Sequence, residues 1–246
     1  MPHVCGCWGK MIFCWICKIQ KKRKIIIENL LQTYPIKYLD ENEKIYRVRL
    51  NPKYPSRKEE YDTPPCKSKN FGRFDSINFP VFYGSQDLET CIHECRTSIE
   101  DNIFVATFKP KKVLKILDLT EIMDDNKTEF ESMDIAIYFL FLAGKYSYNI
   151  SRQIAQIAKS KGIDGIIYPS YFSNLKTGAI SRDTWYGISI RKLKEFKIYN
   201  QNLNVPNIAL FGFPIKENKL ELSCINEIIM KKMSYDLILG TVMKEN

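Results

Sequence analysis

The chain has 246 residues, 45% of them hydrophobic, and 37 Lys and Arg against 28 Asp and Glu give a net charge of +9 and a pI near 9.0. This length and apolar share allow one large domain, or one domain with extensions, around a sizeable core. No stretch approaches the ~20 apolar residues that span a bilayer, and the positive balance suits an acidic partner such as nucleic acid, anionic lipid, an acidic protein or a phosphorylated small molecule.

Residues 1 to about 40 read as a separate head of different composition. Four of the eight cysteines, Cys5, Cys7, Cys14 and Cys17, lie in its first 17 residues. Cys14-x-x-Cys17 has zinc-knuckle spacing and Cys5-x-Cys7 supplies a second pair, so a structural four-thiolate zinc site is one reading. Buried thiols, or cysteines lipidated beside a basic patch, are the others. The apolar run Met11 to Cys17 precedes Lys18, Lys21, Lys22, Arg23 and Lys24, the wrong polarity for a secretory signal. A soluble protein in a reducing, cytoplasmic setting is therefore expected. The basic run reads as a solvated helix face continuing through Leu30 and Leu31, and it lacks the aromatic interleaving of a nucleic-acid contact. A boundary is placed near Tyr38 to Glu43, and residues 41–246 are expected to form the main domain.

Ile45 to Leu50 alternates as a strand. Arg47 and Arg49 alternate along it, so one is expected to face a cleft and the other solvent. Asn51 to Asn70, polar and proline-bearing, reads as a loop near the active site. Val81 to Tyr83 is a short buried strand. Leu88, Cys91, Ile92, Cys95 and Ile99 then follow with helical spacing, and Glu94 falls roughly 120° from the centre of that apolar stripe. Glu94 thus avoids the core, and Arg73 and Tyr83 just upstream favour a cleft over bulk solvent. His93 is read as a surface residue, and Cys66, Cys91, Cys95 and Cys224 as structural.

Ile103 to Phe108 and Val113 to Leu117 read as paired strands around a Lys-Pro-Lys-Lys turn. Asp134 to Leu142 is a largely buried helix. Ser151 is expected to cap a helix that runs through Lys159 and stops at Gly162. Ile166 to Tyr168 is a buried strand delivering Pro169 and Ser170 at its end. Gly187 to Ile190 and Phe196 to Tyr199 add strands, and Ile208 to Ile215 and Ile225 to Ile238 complete an α+β chain.

Several blocks recur in a recognisable order: Tyr46-Arg47-Val48-Arg49, Thr63-Pro64-Pro65, Gly72-Arg73, Pro80-Val81-Phe82-Tyr83-Gly84, Glu89 to Glu94, Tyr148 to Gln153, and Lys161 to Ser170. Together they resemble the RES-domain family over roughly Ile45 to Ser170, extending to Tyr199. The arginine, glutamate and serine of the family's name match Arg47, Glu94 and Ser170. The resemblance implies an ADP-ribosyltransferase-like fold with central split or mixed sheets flanked by helices. It also implies an enzyme that cleaves the nicotinamide–ribose bond of NAD, with inorganic phosphate as co-substrate, and a role as toxin paired with a helix-turn-helix antitoxin. Transfer of ADP-ribose to a macromolecule and a catalytically silent nucleotide-binding module are the alternative readings. The residue types suit the chemistry: cleaving this bond builds oxocarbenium character that a carboxylate such as Glu94 stabilises. Guanidinium groups such as those of Arg47 and Arg73 bind phosphate oxygens bidentately. Tyr83 and Tyr46 are the aromatic substrate-binding candidates, Tyr83 offering a ring face and a hydroxyl handle, and Ser170 would hydrogen-bond substrate. The chain departs from the family pattern at Tyr171 to Asp183, which is longer than usual, so Trp185-Tyr186-Gly187-Ile188 occupies the expected strand.

Overall fold

Short apolar runs between turn residues become strands in this chain, and the longer periodic segments become helices. The computed structural model describes residues 21–65, 71–121, 133–170, 184–185, 188–189 and 205–232. Helix α1 covers 21–33, α2 Leu88–Glu94, α3 Met133–Leu142 and α4 Tyr148–Ser160. The strands are β1 (Ile36–Leu39), β2 (Ile45–Leu50), β3 (Val81–Ser85), β4 (Ile103–Pro110), β5 (Leu114–Asp118), β6 (Gly165–Pro169), β7 (Thr184–Trp185), β8 (Ile188–Ser189), β9 (Pro206–Phe211) and β10 (Leu220–Ile228). β7 and β8 pair with each other, and the other eight form one mixed sheet in the order β1-β5-β6-β9-β3-β2-β4-β10. Among the described pairs only β5 and β6 are parallel. Parallel neighbours need a crossover connection, and α3 and α4 lie within it.

The sheet bends back on itself. β4 and β5 are five strand positions apart, which in a flat sheet is about 24 Å at ~4.8 Å per strand. The chain from Pro110 to Leu114 reaches at most ~14 Å fully extended. The two ends of the sheet must therefore curl toward each other, and the core agrees. Leu114, Ile116, Ile167, Ile208, Leu210 and Phe82 from one half pack in a single buried cluster with Ile45, Ala106, Phe108 and Leu220 from the other. A second cluster lies outside the first half, where Ile27, Leu30, Leu31 and Tyr34 meet Ile137 and Phe141 of α3 and Ile154 of α4. A third packs α2, through Cys91, onto Val48 of β2 and Val105 of β4.

Several expectations change in three dimensions. The hairpin expected of Ile103 to Phe108 and Val113 to Leu117 does not form, because β4 pairs with β2 and β10 while β5 pairs with β1 and β6. Ser151 is an interior residue of α4, fully buried with its hydroxyl donating back to the Ser147 carbonyl at 3.4 Å. The C-terminal end is as expected: Gly162 has φ +76, and the amides of Gly162 and Ile163 donate to the carbonyls of Lys159 and Ala158 in a Schellman motif. On the near side of the sheet β1 joins β5, and α1 packs on the same core as α3 and α4. The cysteine cluster, Cys66, Tyr171 to Asp183 and Phe196 to Tyr199 lie outside the described residues.

Candidate active site

β2 pairs with β4 over six residues, from Ile45–Phe108 to Leu50–Ile103, but meets β3 at one pair only, Tyr46 with Ser85. Past that pair the strands part and a cleft opens between the two halves of the sheet. Gly84 sits at the fork, where a Cβ would lie 2.8 Å from the Tyr46 carbonyl oxygen and 3.0 Å from Ile45 Cγ2. Arg47 fills the base of the cleft. Its Nη1 donates to the Tyr83 carbonyl at 2.6 Å and its Nη2 to the Asp62 carbonyl at 3.2 Å, with the guanidinium 4.4 Å from the centroid of Phe82. The arginine thus satisfies a carbonyl of β3 that faces the gap. Burial first, and then Arg49, pull Arg47 down to about 9, which leaves it cationic at neutral pH. Arg49 does not face away from Arg47: residues two apart on a strand share a face, and Arg49 also donates to the Asp62 carbonyl, at 2.9 Å.

Above this floor lies a pocket of about 290 Å³, walled by Val48, Tyr83 and Gly84 of the fork, by Cys91, Glu94 and Cys95 of the α2 region, and by Arg73, Tyr148, Tyr168 and Asn207. α2 starts at Asp87, whose side chain accepts the Thr90 amide at 2.7 Å. It stops after Glu94 because Arg96 turns to φ 50. Ile99 therefore leaves the expected stripe and is 64% exposed, and Glu94 stands at the helix end. Its Oε1 accepts two hydrogen bonds, from Ser170 Oγ and from Asn207 Nδ2, both at 2.6 Å. Ser170 is fixed at the end of β6 by its amide, which donates to the Val205 carbonyl at 3.0 Å. Asn207 is fixed on β9, opposite both Ser85 and Tyr168. Oε2 has no hydrogen bond among the described residues, and Glu94 is exposed in the pocket wall.

Arg73 is tied to the end of α3. Its Nη2 donates to the Phe141 carbonyl at 3.0 Å and its Nη1 to the Leu140 carbonyl at 3.4 Å, and the guanidinium lies 4.9 Å and 5.3 Å from the rings of Phe141 and Tyr148. A cation at helix C-terminal carbonyls is favourable and holds its position. The Tyr83 hydroxyl is committed to the preceding loop: it accepts the amides of Phe74 and Asp75 at 2.8 and 3.3 Å and donates to Asp75 Oδ1 at 2.8 Å. Burial, then Asp75, push its ionisation well above the ordinary tyrosine value. The expected hydroxyl handle is thus in use, and the ring is what Tyr83 offers the pocket. Tyr168 stacks on Phe141 at 5.2 Å, and burial followed by Glu94 raises its ionisation too.

Of the residues singled out by sequence, Arg73, Tyr83 and Glu94 line one pocket and Ser170 is bonded to Glu94. Arg47 lies beneath the pocket rather than in its wall. Tyr46 packs its half-buried side chain with the α2 cluster, while its carbonyl accepts the Cys91 thiol at 3.4 Å. Sequence reasoning missed Asn207, although a polar residue between Pro206 and the buried run Ile208 to Phe211 was a usable signal. His93 is exposed. Among the described residues no group of His, Cys, Asp and Glu is placed to hold a metal ion, and Cys5, Cys7, Cys14 and Cys17 lie outside them.

Residues 44–180 match the family model described as RES domain. No curated protein matches the chain. The fold is similar to that of a chain in the crystal structure of the M. tuberculosis MbcT-MbcA toxin-antitoxin complex, with a TM-score of 0.50 at 10% identity over 82% of this chain and 91% of that chain.

Proposed function

This chain belongs to the RES-domain family, whose model spans more than half of it, and from that premise we propose that it degrades NAD by cleaving the nicotinamide–ribose bond. The observation that carries the reading is Glu94, held by Ser170 and Asn207 through one oxygen with the other free, in a pocket that also holds Arg73. A volume of about 290 Å³ lies at the small end of ligand sites. It suits the nicotinamide riboside end of the dinucleotide, with the adenosine end outside. The cationic nicotinamide ring lies against the faces of Tyr83, Tyr148 and Tyr168. Glu94 takes a ribose hydroxyl on Oε2 and stabilises the positive charge that grows at the ribose C1. The C1–N bond breaks with its electron pair passing to the ring nitrogen, which releases neutral nicotinamide. An oxygen of inorganic phosphate then bonds to C1, leaving ADP-ribose 1″-phosphate. Water in its place would give ADP-ribose and lose a proton. Arg73 serves the oxyanions, and Arg47 works from below by holding β3, the strand that carries Tyr83.

Purified protein given NAD with and without phosphate tests this. Nicotinamide release is expected, and dependence on phosphate separates phosphorolysis from hydrolysis. Folded protein that turns over no NAD in either condition overturns the reading, leaving a silent binding module. Label from NAD that ends on protein or nucleic acid would make the chain a macromolecular ADP-ribosyltransferase. The fold neighbour's place in a toxin–antitoxin complex supports a partner protein, and the family resemblance implies that it is of helix-turn-helix type and blocks the cleft. Free expression of the chain is accordingly expected to lower cellular NAD and arrest growth, with Glu94→Gln abolishing both effects. Unimpaired growth and unchanged NAD under strong soluble expression would count against the toxin role.

A further inference from the structure

On the side of the molecule covered by α1, α3 and α4, the helices enclose a groove of about 420 Å³. Its walls are apolar, with Ile26 and Leu30 of α1 facing Ile137 and Leu140 of α3 and Ile154 of α4, and Lys22 and Arg23 stand at its edge. Those two cations belong to the uninterrupted run Lys21-Lys22-Arg23-Lys24 at the start of α1. Two large apolar residues follow directly, and both are exposed: Ile25 by 56% and Ile26 by 55%. On α3, Phe139 is 61% exposed although Ile137 and Phe141 on either side of it in sequence are buried. A helix that only packs on a soluble core needs one apolar stripe. Exposed apolar surface grouped beside four adjacent cations marks an interaction face.

We propose that this face docks on an anionic lipid bilayer, with α1 lying in the headgroup plane. The lysines and Arg23 contact acidic headgroups while Ile25, Ile26 and Phe139 enter the apolar boundary. A flat partner fits better than an inserted helix from another protein. Ile25 and Phe139 do not line the groove, so a segment filling the groove would leave both in water, whereas a plane covers them. The charge pattern agrees, since the exposed Lys21, Lys22 and Lys24 lie within one turn at the start of α1 and long lysine side chains reach a plane from the sides of a helix, Lys24 exchanging Glu28, 3.9 Å away, for a headgroup. None of the described helices is long and apolar enough to cross a membrane, so the chain lies on the bilayer through this face. The proposal is independent of the chemistry assigned to Glu94.

Sedimentation of the full chain with vesicles tests it, using phosphatidylcholine alone and a three-to-one mixture with phosphatidylserine. Binding is expected to the mixed vesicles only and to be released near ~1 M salt, where the screening length falls to about 3 Å. Replacing Lys21, Lys22 and Lys24 by glutamine should weaken it roughly 10²-fold, at about fivefold per charge. Ile25→Ser, at an exposed position outside the groove, cannot disturb the core and should weaken binding by about tenfold. Thermal melting confirms that each variant is folded. Absence of binding to mixed vesicles, equal binding to neutral ones, or binding indifferent to both variants overturns the proposal. Self-association abolished by Ile26→Ser would also overturn it, assigning the face to a second copy of the chain.

Discussion

Glu94 receives both of its hydrogen bonds on one carboxylate oxygen, and this asymmetry decides what its substitution should do. Glu94→Gln keeps the shape and can still accept from Ser170 and Asn207 but removes the charge. Turnover of NAD is expected to fall about 10²–10³-fold, the usual worth of one electrostatic contact to a transition state. NAD affinity and melting temperature should stay close to those of the wild type, as read by calorimetry and thermal unfolding. Activity within a few-fold of wild type would move the reacting centre elsewhere. Cys91, on the same helix, makes a different prediction. Burial first, and then Cys95, push its thiol from 9.0 up to about 12. A group whose folded value is raised contributes stability that is complete below its unfolded value and lost as pH climbs toward the folded one. The fold should therefore weaken between pH 9 and about 12 by as much as ~4 kcal/mol from this residue. Tyr83 and Tyr168 act with the same sign at higher pH. Urea unfolding from pH 8 to 11 should show a shallower decline for Cys91→Ala than for wild type, whatever the cavity costs at neutral pH.

Elements are placed here by a few close contacts, and the fork between β2 and β3 depends on Gly84. In Gly84→Ala the new methyl meets the Tyr46 carbonyl at the one residue pair that links these strands. A loss of about 1–3 kcal/mol in urea unfolding is expected, the range for added volume in a packed site, together with impaired NAD turnover because Tyr83 is adjacent. Unchanged stability would mean that the fork is looser than its geometry indicates. The local elements were legible in sequence wherever periodicity and end signals agreed. α4 with Gly162, and β6 delivering Ser170, are examples. Failures came where the deciding contact was remote. Glu94 and Asn207 are 113 residues apart, so nothing near either announces the bond. The Lys-Pro-Lys-Lys turn reads as a hairpin because short links usually join neighbouring strands, whereas here the curled sheet lets a short link join strands that are not neighbours. α2 ended early at a left-handed Arg96 rather than at the glycine that usually signals a stop. The two-residue period of a strand puts Arg47 and Arg49 on one face, against the expectation that they diverge, and both donate to the Asp62 carbonyl.

At the scale of the whole molecule, the curled sheet puts one buried cluster between its two halves and hangs the helices on the outside, α2 on one half and α1, α3 and α4 on the other. The candidate site therefore takes Glu94 from one half and Arg73, Tyr168, Ser170 and Asn207 from the other side of the fork. One residue pair and the Arg47 guanidinium are what bridge the strands at this point, so the two leaves share a buried core but are sewn along the sheet by a single stitch. Native-state hydrogen exchange should report two cooperative blocks, the amides of β2, β4 and β10 in one and those of β5, β6, β9 and β3 in the other. Breaking the stitch with Arg47→Met should speed exchange on both sides of the fork while leaving each leaf's own ladder protected. NAD bound as proposed would touch both leaves and should merge the blocks into one. Uniform exchange across all eight strands without ligand would show the leaves already fused. The covering of the nicotinamide and the closing of the sheet would then be separate events.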